Sequence, residues 1–190
     1  MKKVIFLIVL LLQLTIVFGQ KTNKIIIENA DFQDINEFEM PGALLLTGNV
    51  RAIHDGIVMT CNKAYYFKDE NYLKAFGNVQ MVQGDTLYLN GKYAEYNGNI
   101  KHAYATGNVS LRSPEMSLVT DTINFDRVSQ EAYYKSNGNI TNRDNTLKSK
   151  SGRYYVQQKK YQFLSEVVLT NPKYVIKSNH LDYYTSSGHS

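Results

Sequence analysis

The side chains of this sequence that could hold a metal or relay a proton do not stand in spacings that suit either task. His54, His102, His180 and His189 are far apart, with no two-ligand spacing among them, and Cys61 has no cysteine or histidine pair beside it. Asp31, Asp34, Glu37 and Glu39 are of the type calcium prefers, but their spacing matches no calcium loop and reads as a solvated strand and turn. The sequence holds no Gly-x-Ser-x-Gly elbow, P-loop or dinucleotide fingerprint. The expectation is therefore no catalytic residue, no metal, no cofactor and no enzyme, with Cys61 a small packed hydrophobe.

The chemistry the chain does carry is apolar and periodic. Gly-Asn-Val stands at Gly48–Val50, Gly77–Val79 and Gly107–Val109, and Gly-Asn-Ile at Gly138–Ile140, at intervals of 29, 30 and 31 residues. A degenerate fifth copy places Val167 and Leu169 at the glycine and valine positions. A second pattern keeps the same phase: an apolar residue, a small or apolar one five positions on, and an aromatic two further. It reads Met59/Ala64/Tyr66, Leu89/Ala94/Tyr96, Leu118/Ile123/Phe125, Leu147/Gly152/Tyr154 and Ile176/Leu181/Tyr183. Two phased patterns identify a true repeat.

Polar breakers separate the two patterns in each copy, from His54-Asp55-Gly56 to Asn171-Pro172-Lys173. A second set closes the units, from Lys68-Asp69-Glu70-Asn71 to Gln157-Gln158-Lys159-Lys160. Each repeat is thus two antiparallel strands of about ten residues joined by short turns. Alternation marks one face as buried: Leu73, Ala75, Gly77, Val79 and Met81 against Tyr72, Lys74, Phe76, Asn78 and Gln80. The five-residue gap in the second pattern puts its first two members on opposite faces of a regular strand, so a β-bulge is expected in every second strand. The recurrent glycine is expected on the inward face, where it permits a bend. Repeated bends curve a sheet into a trough or jelly roll.

The inward positions are Leu46, Val50 and Met59 in the first repeat and Leu73, Ala75, Val79, Met81, Leu89 and Ala94 in the second. Ala105, Val109, Leu111, Leu118 and Ile123 follow in the third, Ile140 and Leu147 in the fourth, and Val167, Leu169, Ile176 and Leu181 in the fifth. Residues 25–32 read as a partial second strand that starts the stack. The pattern suits either a lipid-lining surface or an ordinary filled β-sandwich core.

Lys2 and Lys3 precede an apolar run from Val4 to Phe18, so residues 1–19 read as a signal peptide, with residues 20–184 as one domain and 185–190 as a polar tail. Of 21 Lys and Arg, two lie in that leader, leaving 19 against 17 acidic residues. That balance is too weak to point to nucleic acid. Lys74, Lys101, Arg112, Lys135, Arg143, Lys148, Lys150, Arg153, Lys159 and Lys160 are outward, most of them between residues 135 and 160. Such cations meet phosphates or an acidic partner in one reading, and merely keep the outer face wet in the other.

The Gly-Asn-Val repeat after a leader, an I-x-x-A-D opening and the aromatic-terminated second strands together resemble the OstA/LptA family of periplasmic proteins over about residues 24–184. The resemblance implies an all-β fold, an open antiparallel β-jelly-roll or twisted β-trough of about five repeats of about 29 residues. It implies a periplasmic protein, possible outer-membrane association, and a place in a bridge carrying lipopolysaccharide to the outer membrane. The inward positions would then line a groove for acyl chains. Partners would be lipopolysaccharide and other jelly-roll proteins joined edge to edge, a second copy included. The fourth repeat departs, with Asn142 in an apolar position and Gly152 where others have Ala, Ile or Leu. Two other readings stand beside this one. A structural repeat module, or the leading domain of a longer outer-membrane assembly protein, would hold partners rather than lipid. A transmembrane β-barrel is disfavoured by the lysines, asparagines and glutamines at mid-strand.

Overall fold

The computed structural model describes residues 23–35, 38–85, 87–114 and 116–184. The leader and the polar tail lie outside these residues. The described residues form one antiparallel sheet of 14 strands. A leading strand in two parts, β1 (Ile26–Asn29) and β2 (Phe32–Ile35), runs along β3 (Leu44–His54). Repeats follow as β3 with β4 (Ile57–Phe67), β5 (Tyr72–Gln83) with β6 (Leu87–Asn97), and β7 (His102–Arg112) with β8 (Ser117–Asp126). The fourth repeat is split into β9 (Glu131–Tyr134) and β10 (Gly138–Asn142), then β11 (Asn145–Ser149) and β12 (Ser151–Tyr155). The fifth is β13 (Lys160–Asn171) with β14 (Tyr174–Tyr184). Among the described residues no helix is long and apolar enough to cross a membrane.

The expected bend is present, but its extra residue is on the other strand. Gly48 and Asn49 face Asn62 alone, Gly77 and Asn78 face Lys92 alone, and Gly107 and Asn108 face Asp121 alone, so the first strand of each repeat carries the surplus. Both residues of each pair have positive φ, 70° and 48° at Gly77 and Asn78. Glycine and asparagine are the residues that enter this region most readily, which is why the dipeptide recurs. In the fifth repeat Ser165 and Glu166 adopt the same conformation at φ 64° and 53°. Nor are the glycines of the first three repeats inward, since a Cβ on Gly77 would meet the exposed Asn62 side chain and one on Gly107 the exposed Lys92 stem, whereas Gly138 of the fourth repeat is buried. The second strands do change phase at this level, with Met59 and Cys61 buried before it and Ala64 and Tyr66 after it.

These corners fold each strand so that its two halves face one another across the interior. One lip of the resulting trough is made by the turns after β3, β5, β7, β10 and β13, and the other by the turns after β4, β6, β8 and β12. Turns of the second lip are chained to one another, Gly98 N–H donating to Asn71 O at 2.8 Å, Arg127 to Lys101 at 3.1 Å and Val156 to Gln130 at 3.0 Å. The trough is open, its first and last strands pairing on one side only.

The fourth repeat keeps its interior continuous by a substitution of parts. Tyr134 turns inward, 4 % exposed, and its ring covers Gly138 and Gly152, where an added Cβ would lie 2.2 Å and 2.6 Å from ring atoms. The phenol meets the Ser149 hydroxyl at 2.6 Å, and burial pushes it up to about 12. A small residue at Gly152 is therefore required by a large one at Tyr134.

Candidate functional site: an apolar interior with one open mouth

Of the inward residues read from the sequence, all but Ile176 are buried, and Ile176 packs against them half-buried. They do not line one continuous empty groove. At the corner level Leu46, Ala75, Ala94, Ala105, Val79 and Val109 are at most 1 % exposed and fill the space between the walls. In the N-terminal half a void of about 10 Å³ is bounded by Ile25, Met59, Leu73 and Tyr96 among others. Behind the fourth repeat it is about 20 Å³, between Leu118, Ile140, Tyr134 and Phe163. Each is room for about one water.

The N-terminal half is also shut at its lips. The Asp55-Gly56 turn, with φ 46° and 78°, is the two-residue hairpin turn this dipeptide favours. It carries His54 and Asp55 across to the opposite lip. His54, 4 % exposed, donates from Nε2 to the Asn23 carbonyl at 2.7 Å, and its Nδ1 pairs with the Tyr96 hydroxyl, also at 2.7 Å. Arg127 reaches the Asp55 carbonyl at 3.1 Å, and Lys101 meets the Asp55 carboxylate at 2.8 Å. The Lys101 ammonium and the Asn23 amide hold that carboxyl down at about 2.

The C-terminal half is different. Between the turns after β5 and β7 on one side and those after β8 and β12 on the other lies a cleft of about 450 Å³. Leu87, Leu89, Leu111, Ile123, Phe125 and Val156 form its apolar walls, with Gln83, Ser113, Gln130 and Lys159 at its polar rim. Its size and apolar lining with few polar groups are those of sites that take small apolar ligands. Leu89, Leu111 and Ile123 are the inward residues read from the sequence that reach it. Leu87, Ala132, Val156 and Tyr161 were not among them, although Phe125 and Tyr154 already stood out as the aromatics that end their strands.

Most outward cations are engaged locally. Arg153 pairs with Glu131 at 2.6 Å, Lys160 with Asp182 at 2.7 Å, and Lys150 with Glu166. Lys74 and Lys135 lie over aromatic rings, 5.8 Å from the centroids of Phe67 and Tyr133. Lys159 is the cation of the outward set that stands at the cleft. Among the described residues no group of histidine, cysteine and carboxylate side chains could hold a metal ion. Burial pushes the Cys61 thiol up to about 11, so it is a poor nucleophile.

No curated protein matches the chain. Among solved structures, LptH of Pseudomonas aeruginosa, described as the LptA-homologous periplasmic component of the conserved lipopolysaccharide transport device, is similar at 11 % identity and a TM-score of 0.48. That similarity covers 51 % of this chain and 74 % of LptH. The pattern of the family described as OstA-like protein matches residues 22–179, from the leading strand into the fifth repeat, and the chain belongs to that family.

Proposed function

We propose that the protein is a periplasmic component of lipopolysaccharide transport, exported by its leading segment, that takes lipid acyl chains through the cleft of the C-terminal half. The observation that carries this reading is the cleft itself, an apolar opening of about 450 Å³ into an otherwise filled interior. Each methylene drawn from water into such a space gains about 0.8 kcal/mol, so affinity grows with the length of chain the cleft admits. Membership of the OstA-like family supports the assignment. Lys159 and Gln130 at the rim are placed to meet the polar part of a lipid whose chain is inside.

The edges supply the partner half of the proposal. The leading edge exposes Ile26, Phe32 and Ile35 beside Glu28, Asp31 and Asp34, and β14 exposes Tyr174 and Val175 beside Lys173 and Lys177. Unpaired backbone, apolar side chains and opposite charge at the two ends favour edge-to-edge addition of another jelly-roll domain or a second copy. The filled interior elsewhere favours a second reading, a scaffold that joins partners without carrying lipid. Photoreactive residues at Leu87, Leu111 and Phe125, with Asn78 and Asn108 as exposed controls, distinguish the two in cells. Lipid adducts at the cleft alone support transport, whereas protein adducts without lipid at all three positions support the scaffold.

A further inference from the structure

The outer side of the corner differs in the fourth repeat. In the second and third repeats a corner glycine leaves room for a side chain of the neighbouring strand, so that a Cβ on Gly77 would stand 2.9 Å from Asn62 and one on Gly107 2.8 Å from Lys92. The fourth corner has no glycine: Lys135, Ser136 and Asn137 face Lys150 and Ser151, and the Asn137 N–H donates to the Lys150 carbonyl at 2.9 Å. Ser136 is fixed by its hydroxyl, which accepts from the Thr122 N–H at 2.9 Å. On the other side the Lys150 N–H donates to the Ser165 carbonyl at 3.0 Å. The Lys150 backbone is thus tied to both neighbouring strands while its side chain, 56 % exposed, borders two outer hollows of about 530 Å³ each.

One of these hollows gathers cations: Lys135, Lys150 and Arg153 line it, and among the described residues no carboxylate does. The Arg153 guanidinium donates to Glu131 at 2.6 Å through one of its five N–H groups. It lies against the rings of Tyr133 and Tyr155, 5.3 Å and 5.9 Å from their centroids. The Lys135 ammonium is 5.8 Å from the same Tyr133 centroid and has no carboxylate partner among the described residues. Lys150 pairs with Glu166, which lines the other hollow, but both side chains are more than half exposed, so the pair holds the lysine weakly. Aromatic rings therefore steady positive groups that keep donors unspent. Two ammonium groups and a planar guanidinium around one concavity suit a phosphate, which accepts charge-assisted hydrogen bonds from all three. The hollow is larger than a phosphate alone fills, and Ser151, Gln162 and the tyrosines give the rest of its wall hydroxyl and amide groups. We propose that this outer face is a second ligand site that takes a sugar phosphate, its phosphate held by Lys135, Lys150 and Arg153 and its sugar lying against Gln162 and Tyr155. Neither the apolar cleft nor an acyl chain takes part, so the site stands or falls apart from the lipid reading above.

Calorimetric titration of the full mature chain with glucosamine 1-phosphate tests the site. It is run beside a variant carrying K135Q, K150Q and R153Q, and beside a control carrying K92Q, K173Q and K177Q, which removes the same charge from exposed positions outside the hollow. The expected result is binding by the unsubstituted chain and the control, weakened at least about tenfold in the site variant. Equal weakening in both variants reduces the effect to net charge and overturns the proposal, as does the absence of binding by the unsubstituted chain. Inorganic phosphate and glucosamine are each expected to bind at least about tenfold more weakly than the ester, and equal affinity for inorganic phosphate overturns the sugar assignment. Phosphatidylcholine vesicles bearing phosphatidylinositol 4-phosphate separate two sources of the same chemistry. Binding of both the soluble ester and the vesicles supports the site with a lipid headgroup as a source, and binding of the soluble ester alone supports it with a free sugar phosphate. Binding of the vesicles alone overturns it. A second measurement needs no substitution. The backbone amide resonances of Lys135, Lys150, Ser151 and Arg153 should shift on adding glucosamine 1-phosphate, and shifts confined to Leu87, Leu111 and Val156 at the cleft would overturn the outer site.

Discussion

The two halves of the trough have the same walls and different contents. Both are built from two-stranded repeats with the same apolar rows, yet the first half holds a void of about 10 Å³ and the second opens through a cleft of about 450 Å³. The difference comes from residues that do not repeat. Ile25, His54, Asn71 and Arg127 bring the lips of the first half together. In the second half the rim residues Gln83, Ser113, Gln130 and Lys159 border open space. Repetition builds a container, and what stands between its lips decides whether it is a core or a mouth.

The largest effect should come from paired truncations. Leu73, 1 % exposed in the closed half, should lose about 4 kcal/mol on replacement by alanine, and Leu111 at the cleft about 2 kcal/mol, since its neighbours already border a void. Urea unfolding measures both, and equal losses would break the contrast between filled and open halves. Next, Gly138→Ala should cost about 3 kcal/mol, because its Cβ would be driven into the buried Tyr134 ring. A negligible loss would mean that the interior behind the cleft is looser than it stands, and the open region larger. Thiol labelling compares the halves directly. Cys61, buried and with its thiol raised to about 11, should react about 100-fold more slowly at pH 8 than a cysteine placed by Leu87→Cys at the cleft in a Cys61→Ala background. Comparable rates would show that the closed half opens readily.

The smallest effect is the pH dependence of the latch at Asp55. Its carboxyl is held at about 2 in the folded chain, below the roughly 3.9 of an unfolded aspartate. The resulting stabilisation is present above about pH 4 and is lost as the pH falls toward 2. It should amount to no more than about 1 kcal/mol, because the Lys101 partner is partly exposed and screened. Lys101→Ala should therefore flatten stability between pH 5 and pH 2 relative to the unsubstituted chain by about that amount, and parallel profiles would remove Asp55 from the latch.

Much of the fold was legible in the sequence because alternation reports which face is buried. The corner was only half legible. The odd gap from Met59 to Ala64 showed that a phase change occurs, but two left-handed residues leave Ala75 and Val79 on one parity, so the strand that carries the extra residue looked regular. Of the cleft, Leu89, Leu111 and Ile123 were visible as periodic positions. Leu87 and Val156 were not, since they flank turns and meet the cleft from opposite lips. Tyr134 broke no rule that could be read locally; only its contact with Gly138 and Gly152 explains the small residues of the fourth repeat.

By itself the sequence determined the repeat, its strands, its buried face and the Gly-Asn corners, because these follow from side-chain alternation and backbone freedom over a few neighbouring residues. Whether the buried face encloses a filled core or an opening was decided only by the tertiary structure. That outcome depends on residues far apart in the chain, Ile25 against Asn71 and His54 in one half and Leu87 against Val156 in the other, being brought to face each other across the trough.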